Sequence, residues 1–240
     1  MAVMRHVDGF TDIEVGNPLQ ELRRPDPTRY AMFMEDFLLY DKTQGNAAYT
    51  LTATNGVDTI VGPTGVLVLT LGGADNDLAQ LYPTDAAWQT QAGKRLFFEA
   101  RVKVNKGSGG TIGQEELIIG LTGVQTGANL INAGGTARTF DNGMAFISYD
   151  ATTNIGVSQV LADAESTESA VTTYADDTWM VLSIYYDGGS NTYFYVNDTL
   201  EATLTSNLPT AVLTPMLYIK AGAAHAKVLN VDYVMVVTER

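Results

Sequence analysis

Few side chains in this sequence are placed for covalent chemistry, and those few fail on spacing. Two adjacent carboxylates stand in Gln114-Glu115-Glu116-Leu117-Ile118-Ile119-Gly120. Neighbouring side chains on a strand face opposite ways. Glu115 and Glu116 therefore cannot flank one bond at the ~5–5.5 Å that a retaining glycosidase requires of its two carboxyl groups. The two histidines, His6 and His225, stand at opposite ends of the chain, and there is no cysteine. A Cys–His nucleophile and a thiolate metal site are thus excluded, and no Ser–His–Asp arrangement is supported by spacing. Asp75, Asn76 and Asp77 carry oxygen ligands of the kind calcium takes. They lack the full helix–loop–helix calcium pattern, and the same residue types are ordinary turn formers. Lys106-Gly107-Ser108-Gly109-Gly110-Thr111 is glycine-rich but lacks the Gly-Lys-Ser/Thr ending of a phosphate-cradling loop. The expectation is no catalytic constellation, no resident cofactor and no metal.

Charge points the same way. The 240 residues carry 27 acidic against 14 basic side chains, a net charge of −13. Nucleic-acid binding needs clustered Lys and Arg and is not expected. Residues 139–219 contain no Lys or Arg at all, yet hold Asp141, Asp150, Asp163, Glu165, Glu168, Asp176, Asp177, Asp187, Asp198 and Glu201. This reads as a solubilising surface or as one that meets cations or a basic partner. No apolar run is long enough to span a membrane. The start, MAVMRHVDGF, lacks the layout of a secretion signal, so a product of a reducing cytoplasm is expected.

Period-2 patterning dominates the elements. Residues 179–204 form two aromatic and branched runs around Asp187-Gly188-Gly189-Ser190-Asn191, then a turn at Asn197-Asp198, which predicts three antiparallel strands side by side. Asn197-Asp198-Thr199 spells a glycosylation sequon but is read as a turn. Tyr193 and Tyr195 should face one way, Phe194 and Val196 the other. Residues 95–104 alternate cleanly, with Leu96, Phe98, Ala100, Val102 and Val104 inward. Arg95, Phe97, Glu99, Arg101 and Lys103 fall on the other face, where Glu99 is expected to make weak surface pairs with its basic neighbours. Further strands are predicted over 49–53, 66–71, 117–121, 144–149, 155–161, 212–219 and 228–237, with Leu229, Val231, Tyr233, Met235 and Val237 on one face. Pro215 argues for an edge or a bulge in its run. Residues 122–138 and 163–173 read as exposed loops, the places where binding functions tend to sit. Residues 85–91 allow one short helical turn.

Residues 1–35 differ from the rest. They hold Pro18, Pro25 and Pro27, the arginines Arg23, Arg24 and Arg29, and Met32-Phe33-Met34, with no sustained period. They are assigned to an extended N-terminal arm, with one helical turn at most over 19–22, and residues 36–240 to a single β-sandwich domain. The fold class is all-β, an antiparallel jelly roll.

The order of features from Asp176 onward resembles laminin-G-like and concanavalin A-like jelly rolls. Asp177-Thr178-Trp179 opens a strand, Asp187-Gly188-Gly189 follows, a Tyr-rich strand leads to Asn197, and residues 229–237 close the sheet. RLFFEARVK, residues 95–103, looks like a strand of the glucanases in that superfamily. Those enzymes take their carboxylates from one strand patterned Glu-x-Asp-x-x-Glu, and the run at Glu115-Glu116 does not reproduce it. Sugar-binding members place acidic, Asn and aromatic groups on loops, and none matches here residue by residue. An acidic, cysteine-free jelly roll with an arm and no catalytic constellation resembles the virion structural proteins of tailed bacteriophages. That resemblance implies a capsid decoration or cement protein on the shell surface. Its partners would be the major capsid protein and copies of itself, commonly in trimers, with Arg23, Arg24, Arg29, Met32 and Phe33 as anchors. The alternative is a lectin-like head-fibre or tail protein that binds host glycans through 122–138 or 163–173.

Overall fold

The computed structural model describes residues 28–38, 49–61, 65–85, 87–123 and 129–240. Among them every element is a strand, and no helix is long and apolar enough to cross a membrane. With strands numbered in chain order, one sheet contains β1 (Tyr30–Glu35), β3 (Gly56–Val61), β4 (Val66–Leu71), β6 (Leu96–Asn105), β11 (Thr178–Tyr186), β12 (Thr192–Val196), β13 (Thr199–Leu204) and β15 (Val228–Glu239). The other contains β2 (Tyr49–Thr54), β5 (Leu78–Pro83), β7 (Glu115–Thr122), β8 (Asn142–Ser148), β9 (Asn154–Leu161), β10 (Ala164–Thr173) and β14 (Thr214–Ala221). The first runs β13-β12-β11-β6-β15-β4-β3, with β1 beside the far half of β15, and the second runs β10-β9-β8-β7-β14-β5-β2. The core lies between them, and Phe146 of β8 meets Phe194 of β12 edge-to-face at 5.5 Å across the layer.

The three-strand block at 179–204 forms as its pattern dictates. Asn197 (φ 49°) and Asp198 (φ 67°) take the left-handed conformation of a two-residue primed turn, whose twist matches the flanking strands. The Asp187 carboxylate accepts the Gly189 amide at 2.7 Å and the Asn191 side-chain amide at 2.8 Å, closing the other turn. Phe194 and Val196 enter the main core while Tyr193 and Tyr195 lie on the outer face.

Residues 228–237 do not keep one face. A bulge between Val231 and Tyr233 moves the register by one, so Leu229, Val231, Val234 and Val236 point inward while Tyr233, Met235 and Val237 point outward. The displaced residue, Asp232, pairs with Arg101 at 2.5 Å. Glu99 is buried rather than on the wet surface. It is 2% exposed and accepts the hydroxyls of Ser183 and Tyr233, each at 2.8 Å. Ser183 stands directly opposite Glu99 in the ladder, which brings its hydroxyl to the carboxylate.

Tyr30–Glu35, placed in the arm by the sequence, is strand β1, paired with β15 from Tyr30↔Glu239 to Glu35↔Val234. Its anchor is Arg95, which donates to Glu239 Oε1 from Nε (3.0 Å) and Nη2 (2.8 Å) and to the Tyr30 hydroxyl at 2.7 Å. Arg95→Ala is expected to cost about 1–2 kcal/mol, between an exposed pair and a charge-assisted hydrogen bond. Arg95 holds the Glu239 carboxyl below its ordinary value. The pair's stabilisation is therefore complete above the unfolded value of about 4.3 and is lost as pH falls through the lower folded one. Urea titrations across that window should show less acid sensitivity in Arg95→Ala than in the parent; equal sensitivity refutes the assignment.

The edge expected at Pro215 is local: β14 is an interior strand, but at Pro215 it is flanked by β7 alone, its pairing with β5 starting at Leu217. Two further expectations change. Residues 163–173 are not a loop but contain β10, an edge strand paired with β9, whose solvent-facing polarity hid it from hydrophobic patterning. Residues 85–91 form no helical turn among those described, and Trp88 bridges Leu213 instead.

Candidate functional site

Glu115 and Glu116 do face opposite ways, and each is neutralised. Glu115, fully buried, accepts the Gly113 amide at 2.8 Å and the Tyr174 hydroxyl at 3.0 Å, and sits 3.2 Å from Lys227 Nζ. Burial, then the charge of Glu115, pushes the Tyr174 hydroxyl up from its ordinary value, so it stays protonated as a donor. Glu116 meets Lys220 Nζ at 2.6 Å on the outer face of the β7–β14 pair. Asp77 is also committed: its carboxylate accepts the Asn55 side chain and the Gly73 and Ala74 amides, each at 2.9 Å, so it closes a turn. His225 is exposed, and His6 lies outside the described residues.

The outer face of the β10–β2 sheet is where the chain invests its irregular segments. Residues 129–140 fold onto it and contribute Leu130, Ile131 and Phe140, fully buried against Ile118, Ala145, Tyr218 and Met216. Described residues of the expected surface excursion are therefore partly core. Lys220 Nζ holds the segment by donating to the Asn132 carbonyl at 2.8 Å, and Asp150 N donates to the Gly135 carbonyl at 3.0 Å. The cover ends at Arg138. Its side chain is 9% exposed, donates to the carbonyls of Phe140 and Asp163, and lies 3.1 Å from Glu165 Oε1 on β10.

Beyond that edge the face is open. A cleft of about 200 Å³ runs along β8, β9 and β10. Its floor is Ile147, Gly156 and Ser158, and its walls carry Tyr149, Thr152, Asn154, Glu165, Thr167 and Ser169. β9 turns a glycine outward here and the backbone of β10 closes on it: a Cβ on Gly156 would stand 2.7 Å from the Glu168 carbonyl oxygen. The ladder between β9 and β10 also breaks between Glu168 and Thr172, leaving the edge strand bowed. Glu165 is fixed from two sides, by the Ser158 hydroxyl and by Arg138. Burial, then the charge of Glu165, raises the Tyr149 hydroxyl above its ordinary value, keeping it a neutral donor. The site thus combines a partly apolar floor with hydroxyls, one amide and one oriented carboxylate, the groups that bind a polyhydroxylated ligand.

The two segments singled out for binding, 122–138 and 163–173, meet here through Arg138 and Glu165. Tyr149, Asn154 and Ser158 were missed, although Gly156 and Ser158 on the outward positions of a strand signal an open face. The N-terminal candidates are not brought to the cleft. Arg23 and Arg24 lie outside the described residues. Arg29 is exposed with its guanidinium 5.6 Å from the Tyr30 ring; Met32 is 53% exposed, and Phe33 turns inward against the main core.

This architecture is a lectin-like, concanavalin A-like jelly-roll sandwich. No protein family matches the sequence, and no curated protein matches it either. Solved structures do. The endo-1,3-β-glucanase from Streptomyces sioyaensis is similar at TM-score 0.62 and 13% identity over 89% of this chain and 98% of that one. Peanut lectin gives 0.61 and 12% over 87% and 97%. The carbohydrate recognition domain of Emp46p gives 0.60 and 12% over 84% and 93%. At such identities the likeness is one of fold.

Proposed function

We propose that this chain is a non-enzymatic glycan-binding module whose site is the β8–β9–β10 cleft. The observation that carries the reading is the cleft itself: a wall of neutral hydrogen-bonding groups around one oriented carboxylate, set over Ile147. Binding rather than hydrolysis follows from its acids. Glycoside cleavage in most families uses two carboxyl groups flanking the bond, and among the described residues Glu165 is the one carboxylate that lines the cleft. The lectins and the carbohydrate recognition domain with this fold support the choice. The test is a panel of immobilised oligosaccharides with the parent protein, Tyr149→Ala and Glu165→Ala. Saturable binding that weakens about ten-fold or more in each variant is expected, from loss of a ring contact or a charge-assisted hydrogen bond. Binding unchanged in both, or release of reducing ends from the bound sugar, overturns it.

A second reading, compatible with the first, keeps the tailed-bacteriophage virion and a shell-binding arm. Its support is exposed Met32 and Met34 beside Arg29, where residues 1–27 join the sandwich. Co-sedimentation with undecorated capsids, with and without residues 1–27, decides it: arm-dependent pelleting supports the cement role, and its absence removes it.

A further inference from the structure

We propose that the cleft selects amino sugars, taking a protonated amine against Glu165; the inference rests on the glycan-binding reading above. Glu165 Oε1 is occupied by the Ser158 hydroxyl and lies beside Arg138, while Oε2 accepts no hydrogen bond from the described residues. The carboxylate is therefore aimed and half free. Among the described residues the one cation that meets Glu165 is already committed. Arg138 is 9% exposed at its side chain and is spent on the carbonyls of Phe140 and Asp163 and on the two carboxylates, with Asp163 Oδ1 at 3.9 Å. An anionic ligand finds no partner there, because the other walls are neutral: the Tyr149, Thr152, Thr167 and Ser169 hydroxyls and the Asn154 amide.

The surroundings reinforce the choice. Between residues 139 and 219 the sequence holds no Lys or Arg, so β8, β9 and β10 add no positive charge to the field. A neutral sugar hydroxyl would give Oε2 a hydrogen bond that is already charge-assisted, because the acceptor is ionised. An ammonium adds the attraction of a second, opposite charge, and the net negative field around the cleft favours its approach. A uronic acid or sulfated sugar meets like charge instead.

Calorimetry on the full chain near neutral pH tests this with glucosamine and galactosamine oligomers, their fully N-acetylated counterparts, a neutral glucose oligomer and a glucuronic acid oligomer. The free-amine oligomer of one series should bind about five-fold tighter than its acetylated form, the upper end for an ion pair open to solvent, with no binding of the uronate. Glu165→Gln keeps the side chain's shape and an acceptor but loses the charge, and it should erase that preference while weaker binding of the neutral sugar persists. Neutral or acetylated sugars binding as tightly as the free amines, or a preference that survives Glu165→Gln, overturns the amine inference and leaves the glycan reading standing. Failure of every oligomer to bind overturns both.

Discussion

Lys220→Met should destabilise the protein by about 3–5 kcal/mol, the range for removing one partner of a buried ion pair. Both members of the pair are sealed: Lys220 is fully buried and Glu116 is 1% exposed. Burial pushes the Glu116 carboxyl above its ordinary value even though the hydrogen bond and charge of Lys220 pull it down. Desolvation is therefore not fully offset by the lysine, and removing the lysine leaves the carboxylate with the whole cost. The Asn132 carbonyl loses its donor at the same time, loosening residues 129–140. Replacing both partners, Glu116→Leu with Lys220→Met, should return most of the loss, because an apolar pair of similar volume carries no desolvation cost.

The pH dependence has a definite sign. A carboxyl whose folded value is raised contributes stability that is complete below its unfolded value, about 4.3, and is lost as pH rises through the folded one. In Lys220→Met the folded value climbs further, since both lowering influences of the lysine are gone. The gap between variant and parent should thus be small in acid and widen toward neutrality. Urea unfolding in acid and at neutral pH measures it; a gap that stays constant would mean that the cost is lost packing rather than a stranded charge.

What could be read from the sequence follows from where hydrophobicity reports structure. Strands with one face in the core announced themselves: β6, β11, β12 and β15 were visible because Leu96, Phe98, Leu182, Phe194 and Val231 recur at period 2. The failures have separate physical causes. β10 has one weakly apolar side, and β1 was hidden by its position next to three prolines. Leu130 and Ile131 sit in a Gly/Asn/Thr-rich run whose composition says loop, yet they complete a second core on the outer face of a sheet. The bulge at Asp232 exchanged the faces of half of β15, and a single-residue insertion is invisible to a period count. The cleft was half legible. Its acidic wall and Arg138 lay in segments marked for binding, but Tyr149 and Gly156 were read only as members of strands, at the end of 144–149 and within 155–161.

Gly156→Val should abolish glycan binding, by about a hundred-fold or more, while the sandwich stays folded. The added Cβ stands 2.7 Å from the Glu168 carbonyl oxygen and 3.1 Å from the Ser169 Cα, so backbone and not a flexible side chain must give way. β10 can yield because it is an edge strand, with a backbone ladder on its β9 side only among the described residues. Overpacking of this kind costs about 1–3 kcal/mol, less than the loss expected for Lys220→Met. The consequence falls on the site: the two branches of valine fill the floor of a cleft of only about 200 Å³, and the shift of β10 carries Glu165, Thr167 and Ser169 with it. Since bound geometry must hold to a fraction of an ångström for several hydrogen bonds to form together, affinity should vanish well before stability does. Ser158→Ala is the graded control. It removes one hydroxyl that orients Glu165 without adding volume, and its loss should be about ten-fold. Calorimetric affinity read beside the urea midpoint separates the two effects, and a Gly156→Val protein that is folded and still binds at parental strength would place the glycan elsewhere on the molecule.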